Sequence, residues 1–327
     1  MQAAIYERFG DPTEVLMTGE RPTPEPGPGE IRVRMTLSPI HNHDLWTIRG
    51  TYGYKPVLPA IGGSEAVGVV EAQGADVTVP AIGQRVVVAG VLGAWSGSFL
   101  AKAASAVPLP DAIDDDTGCQ LIAMPLSSLM LLEDLQIGSG QWMIQNAANG
   151  AVGKIVAMLA KARGIKVVGL VRRDQGIAEL AALGIENVVS TESAGWEDRV
   201  RALVGDEPIL RAVDSVGGEE GGRLTSLLAE GGMLMSFGAM SNKPLVISSG
   251  DLIFRQVSVK GFWGARRMQS TDKVELGRLI GELVRLAASG DLRLTVDERF
   301  ALTDAAAAAA ASDRPGRSGK IAIRGSV

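Results

Sequence analysis

The rhythm of apolar and polar positions changes near residue 120. Before it, apolar runs are short and cut by Pro and Gly. In GEIRVRMTLSPI the two kinds of side chain alternate, which predicts a β-strand with one buried face. EAVGVVEAQG and QRVVVAG predict two more. The stretch from Pro22 to Pro28 cannot join a central ladder, because Pro brings no N–H, so it reads as a surface connection. From about Leu121, helical and strand patterns alternate. QWMIQNA is an apolar run ending in a small-residue turn, and VGKIVAMLAKARG is an amphipathic helix stopped by Gly164. KVVGLVRR is the next strand and QGIAELAALG the next helix. NVVS, ILRAVDSVGG, GGMLMSFGAM and SVKGFWG supply further strands. Such alternation predicts a parallel sheet with helices on both faces. Asp272 to Ser289 reads as a long helix and DLRLTVDERFAL as strand. The run Ala305 to Ala311 reads as a tightly packing helix, alanine being the best helix former. KIAIRG closes the chain as a strand. A β-rich module, residues 1–120 and 267–327, is thus split by an inserted α/β domain, residues 121–266.

The length of 327 residues fits two domains of roughly 150 each. With 46% apolar and 21% charged residues, the balance is that of an ordinary globular protein. A net charge of −5 and the lack of a long basic run argue against a nucleic-acid partner. No apolar run reaches the ~18 residues of a membrane span. MQAAIYERFG lacks the pattern of a secretory signal, and the expected compartment is the cytoplasm. The lone Cys119 excludes an internal disulfide framework and a multi-cysteine zinc site, and reads as a small buried residue.

The turn after QWMIQNA carries the first candidate chemistry. Ala147, Gly150 and Gly153 form an A-x-x-G-x-x-G variant of the dinucleotide fingerprint. Small residues there let backbone N–H groups and the positive end of a helix approach a pyrophosphate. The alternative is a purely structural turn. About 20 residues on, the next strand ends in Arg172 and Arg173, where an NAD site would offer a carboxylate. Two guanidinium groups suit a 2′-phosphate, so NADPH is the expected cofactor. Two solvated arginines are the alternative, and Asp174 beside them either orients an arginine or weakens the site.

With these features in place, the chain resembles the medium-chain dehydrogenase/reductase superfamily, and within it the mitochondrial-type 2-enoyl thioester reductases. The resemblance runs nearly end to end. It is carried by LSPIHNHDLWTIRGTYGYKPVLPAIGGSEAVGVV, WMIQNAANGAVG, VRRD, DSVGG, GGMLMSFGAM and LIFRQVSVKGFW, in that order. It implies a GroES-like catalytic domain and a Rossmann cofactor domain with a doubly wound parallel sheet, an active site in the cleft between them, and a homodimer joined through sheet edges, with SVKGFW as a candidate edge. It implies a cofactor site at Asn146, Ala147, Gly150, Val152, Gly153, Gly238, Met240, Phe262 and Lys320. Tyr52 matches a tyrosine that donates a hydrogen bond or a proton to the substrate, and Trp263 matches a tryptophan lining the substrate and nicotinamide. The alternatives are a loop-shaping Tyr52, a core or interface Trp263 and a solvated Lys320.

The zinc pattern of alcohol dehydrogenases is incomplete. Their early Cys aligns with His41, and their G-H-E reads Gly63-Ser64-Glu65. His41, His43 and Asp44 form an H-x-H-D cluster without convincing third and fourth ligands, so no metal is expected. His41 is read as lining the substrate, and His43 as lining or exposed. The thioester reductases read N-P-S-D where this chain has His41-Asn42-His43-Asp44, and Tyr54-Lys55 replaces apolar residues. Arg266 and Arg267 are either a solvated face or partners for the phosphates of a coenzyme A or carrier-protein arm. The resemblance therefore implies NADPH-dependent, metal-independent reduction of the carbon–carbon double bond of a 2-enoyl thioester, carried on coenzyme A or an acyl carrier protein. The competing readings are a quinone or enone reductase and a catalytically idle NADPH-binding protein.

Overall fold

The computed structural model describes residues 1–314 and 316–325. These form two compact units, one from residues 1–123 and the described residues from 283 onward, the other from 124–282.

The first unit opens with β1 (Gln2–Tyr6) and β2 (Met17–Glu20), followed by β3 (Glu30–Pro39) and the helix Asn42–Arg49. After that come β4 (Ala60–Ile61), β5 (Glu65–Gln73), β6 (Arg85–Ala89), β7 (Ser98–Lys102) and β8 (Val107–Pro108). In β3 the expected alternation is realised: Ile31, Val33, Met35 and Leu37 are buried, while Arg32 and Arg34 point outward. β3 pairs antiparallel with β5 and β7, and β5 with β6. A small second sheet has the order β2-β1-β4. Before β5, Gly62 and Gly63 lie on the fully buried ring of Trp95. A Cβ added at either would come within 2.3 Å of a ring carbon, and Gly63 also has φ +88°. Because Trp95 has no room to move, Gly62→Ala is expected to destabilise the protein by about 1–3 kcal/mol, the usual scale of overpacking, read as a lower urea midpoint.

The second unit contains β9 (Trp142–Gln145), β10 (Lys166–Val171), β11 (Val188–Ser190), β12 (Ile209–Asp214), β13 (Met233–Ser236) and β14 (Ser258–Gly261). All pair in parallel, in the order β11-β10-β9-β12-β13-β14. That is the doubly wound order 3-2-1-4-5-6, which reverses direction between β9 and β12. The central strands are buried on both faces, whereas every residue of β14 at the edge is exposed.

The chain leaves this unit along the helix Lys273–Ser289. The division falls within that helix, after Glu282, and not at residue 267 as the sequence suggested. The physical reason is electrostatic as well as apolar: Arg278 and Glu282 are tied to Glu133 and Arg163 of the second unit, while Leu283 and Leu286 begin the run of buried residues that follows. β15 (Val296–Ala301) and β16 (Lys320–Arg324) then extend the first unit's sheet, β16 pairing with β3. Between them the alanine run forms the helix Ala305–Asp313. Its Ala305, Ala308, Ala309 and Ala311 pack in the core with Ile321 and Ile323, where larger side chains would hold the helix off the sheet.

Candidate functional site

In the second unit, β9 runs into Asn146 at the point where strand order reverses. The N–H of Asn146 donates to Val213 O at 3.2 Å and that of Ala148 to Leu170 O at 3.0 Å, so the turn is tied to both neighbouring strands. Ala147 takes φ +49° and reverses the chain. Gly150 then caps the helix Ala151–Ala162. A Cβ at Gly153 would sit 2.6 Å from Ala147 O and 2.7 Å from Ala148 Cα, and one at Gly150 3.1 Å from Ala147 O. The helix start is thus pressed onto the turn. Its first-turn N–H groups, of Ala151, Val152 and Gly153, are those a helix leaves without internal acceptors, and they make a positive end suited to an anion.

One buried carboxylate organises this turn. Asp214 Oδ1 accepts from Asn146 Nδ2 at 2.6 Å, from Val216 N–H at 2.9 Å and from Gly217 N–H at 3.0 Å. Asn146 Oδ1 in turn accepts from Ser215 N–H at 2.7 Å. β9 and β12 are therefore clasped at their C-terminal ends, where ligands of such sheets bind. Gly238 donates to Asp214 O at 3.2 Å, and a Cβ there would lie 2.8 Å from Ser215 O. Past β10, Arg172 and Arg173 are exposed, and neither side chain makes an ion pair or hydrogen bond within the described residues. The N–H of Asp174 is held by Glu192 at 2.9 Å.

The first unit carries a second polar cluster. His41 stands at the start of the helix Asn42–Arg49, and Asp44 reaches back so that its Oδ2 accepts from His41 N–H at 2.9 Å. The helix ends at Gly50, φ +73°, beside Phe9. This left-handed residue turns the chain so that the N–H groups of Thr51 and Tyr52 return to Trp46 O at 2.9 and 3.2 Å. Tyr52 is half-buried, and its ring lies 5.8 Å from that of His43, tilted by 32°. Ser64, just ahead of β5, and Glu65, its first residue, join this cluster. Ser64 Oγ donates to Asp44 Oδ1 at 2.6 Å and lies 2.8 Å from His43 Nε2. Glu65 is fully buried. Its Oε1 accepts from Ile122 and Ala123 N–H at 2.7 and 2.9 Å, and its Oε2 lies 2.7 Å from His41 Nε2. Burial pushes Glu65 up to about 7, against those two N–H donors, and pulls His41 well below its usual range. Both shifts favour a neutral buried pair. Among the described residues, no group of three or more His, Cys, Asp or Glu side chains is placed to hold a metal ion.

Comparison with known proteins matches both units. Residues 27–111 fit the family model described as alcohol dehydrogenase GroES-like domain, and residues 151–278 that described as zinc-binding dehydrogenase. The human mitochondrial enoyl-[acyl-carrier-protein] reductase is 31% identical over 322 residues, covering 96% of this chain and 86% of that protein. The chain belongs to the medium-chain dehydrogenase/reductase superfamily. Among solved structures of this superfamily, the Escherichia coli quinone oxidoreductase, solved with NADPH, aligns with TM-score 0.88 at 27% identity, covering 99% of this chain and 100% of that one. A Pseudomonas syringae quinone oxidoreductase gives 0.86 at 28%, with 99% and 100% covered. As a member of this superfamily, the chain is an oxidoreductase with a GroES-like unit and a Rossmann unit.

Within this dehydrogenase/reductase frame the sequence-derived residues sort unevenly. Asn146, Ala147, Gly150, Val152, Gly153 and Gly238 gather around one turn. Phe262 stacks on Phe237, ring centres 5.7 Å apart, and its N–H reaches Ser236 O. Met240 and Trp263 are exposed, at 55% and 56%. Lys320 is not solvated: it is buried with Nζ 3.1 Å from Ile40 O, and burial lowers it to about 8. That carbonyl is its hydrogen-bond partner within the unit. His41, expected to line the substrate, is 1% exposed and packs behind His43 onto Glu65. It therefore lines no surface of its unit. His43 is only partly covered. Arg267 is engaged by Asp134 and Thr271, while the side chain of Arg266 has no ion pair or hydrogen bond among the described residues. Asp214, Ser64 and Glu65 carry no role that the sequence alone makes evident. The only signals were a strand-end acid before V-G-G and the S-E of Gly63-Ser64-Glu65.

Proposed function

We propose that this oxidoreductase uses NADPH to reduce the carbon–carbon double bond of a 2-enoyl thioester without a metal. The observation that carries the reading is Tyr52, a half-buried phenol set in a polar cluster whose two imidazoles already face oxygen partners. The likeness to human enoyl-[acyl-carrier-protein] reductase supports the acceptor class. The cradle that a Cβ at Gly150 or Gly153 would fill, together with the unpaired Arg172 and Arg173, supports the cofactor, as does the NADPH in the E. coli neighbour. When bound, NADPH supplies the hydride that adds at the β-carbon of the acceptor. The chain's part is electrostatic. Negative charge moves onto the thioester carbonyl oxygen, and the Tyr52 hydroxyl donates to it there. The same hydroxyl then yields a proton at the α-carbon. Trp263 supplies an exposed aromatic face for the acyl or nicotinamide ring. The exposed edge β14, with Val259 on it and the exposed Phe254 just ahead of it, supports a homodimer, since a bare strand edge invites pairing.

A quinone or enone reductase is the second reading. It is favoured by the quinone oxidoreductase neighbours and by the capture of Arg267, which removes one of two charges available to a phosphate-bearing arm. An assay of the purified protein with NADPH against crotonyl-CoA, a quinone and a simple enone separates the two. Turnover of crotonyl-CoA at least tenfold faster than the others supports the first, and the reverse order the second.

The double variant Arg172→Ser/Arg173→Ser removes two charge-assisted hydrogen bonds, so kcat/KM for NADPH is expected to fall about 100-fold, near 3 kcal/mol. The value for NADH is expected to stay within about twofold, because that cofactor has no 2′-phosphate to lose. Equal losses for both cofactors in steady-state kinetics would contradict the assignment.

A further inference from the structure

His43, Ser64 and Asp44 form a hydrogen-bonded chain whose direction can be worked out. Asp44 is 4% exposed and receives two donors, His41 N–H at 2.9 Å on Oδ2 and Ser64 Oγ–H at 2.6 Å on Oδ1. A serine hydroxyl has one hydrogen. Since Ser64 gives its hydrogen to Asp44, its lone pair must accept from His43 Nε2–H across 2.8 Å. The neutral imidazole of His43 is thereby held as the Nε2–H tautomer, and Nδ1 keeps a lone pair with no hydrogen-bond partner among the described residues. This ring stacks 5.0 Å from that of His41 and lies 5.8 Å from that of Tyr52. With 22% of its side chain exposed, His43 can exchange protons with solvent.

We propose that His43 is the positioning residue that returns the proton given up by Tyr52. The idea rests on the proposed role of Tyr52 as proton donor. In the first step the Tyr52 O–H bond breaks and a C–H bond forms at the α-carbon of the acceptor, leaving a phenolate. In the second, the Nδ1–H bond of a protonated His43 breaks and the phenol O–H bond reforms, leaving the neutral Nε2–H imidazole. Solvent then returns a proton to Nδ1. No electrons move in either proton step. Ser64 and Asp44 contribute by holding Nε2 as a donor, so that Nδ1 alone gains and loses the proton.

Two measurements on the full chain test this. The chain has only two histidines, which makes ring-nitrogen NMR of the 15N-labelled protein readable. His43 is expected as the Nε2–H tautomer when neutral, and loss of that preference is expected in Ser64→Ala. An Nδ1–H tautomer in the unmodified protein would overturn the proposal whatever the substrate. In kinetics, His43→Ala is expected to lower kcat about 10- to 100-fold, the lower part of the range for a positioned proton-transfer group, with NADPH affinity unchanged. Added imidazole is expected to restore much of that loss, which a merely structural role would not allow. An unchanged kcat, or a loss indifferent to imidazole, overturns the proposal. The assay uses whichever acceptor the unmodified protein reduces. Failure with crotonyl-CoA alone thus counts against the thioester, and a silent His43→Ala counts against the proton role. If His43→Ala does not fold, His43→Gln takes its place.

Discussion

Tyr52→Phe is expected to lower kcat for an enoyl thioester about 100- to 1,000-fold, the scale of losing one preorganised donor to a developing oxyanion. The substitution removes one oxygen and keeps the ring, so packing against His43 and the turn after Gly50 should persist. Tyr52 is anchored through its backbone N–H to Trp46 O, a bond that phenylalanine keeps. The affinity for NADPH, measured by fluorescence titration, is expected to stay within about twofold, because the cofactor cradle belongs to the other unit. The loss should therefore fall on kcat. A variant with kcat near that of the unmodified protein would show that the phenol does no chemistry.

Asp214→Ala is the second large effect. The carboxylate is fully buried and serves Asn146 Nδ2 and the N–H groups of Val216 and Gly217. Removing it leaves three donors without an acceptor, each at about 1–3 kcal/mol, so a loss of about 3–9 kcal/mol in stability is expected. It also unties β9 from β12 just where the turn begins. NADPH binding should then weaken by at least about tenfold even under conditions where the variant remains folded, since Asn146 loses its anchor. Thermal denaturation with and without NADPH checks both parts: the melting point falls, and the shift given by the cofactor shrinks. A normal cofactor shift in a destabilised protein would confine Asp214 to holding the fold.

Much of the architecture is legible in the sequence because it is written in short-range rhythm. The alternation in GEIRVRMTLSPI becomes β3 with its apolar face inward, and the strand–helix repeat after Leu121 becomes the 3-2-1-4-5-6 sheet. The turn glycines are legible for the same reason, since Gly150 and Gly153 lie between a strand and a helix. What escapes is whatever depends on contacts between distant residues. Asp44 meets Ser64, and His41 meets Glu65, across more than a dozen residues and two elements, and no local pattern announces either pairing. His41 and His43 look equivalent in the sequence. Their different burial arises because one caps a helix start against β5 while the other sits in its first turn beside Tyr52. Lys320 reads as a solvated lysine or a member of the cofactor site, and its burial is not legible until β16 is seen to lie next to β3, which places its ammonium by Ile40 O. The unit boundary at residue 283 is set by ion pairs of Arg278 and Glu282 that a helical period does not reveal.

Reduction of crotonyl-CoA with NADPH deuterated at the transferable position of the nicotinamide, followed by NMR of the product, tests hydride delivery to a conjugated thioester. The expected product is butyryl-CoA carrying one deuterium at the β-carbon and a solvent-derived proton at the α-carbon. Deuterium at the α-carbon, or consumption of NADPH with crotonyl-CoA left intact, would contradict it.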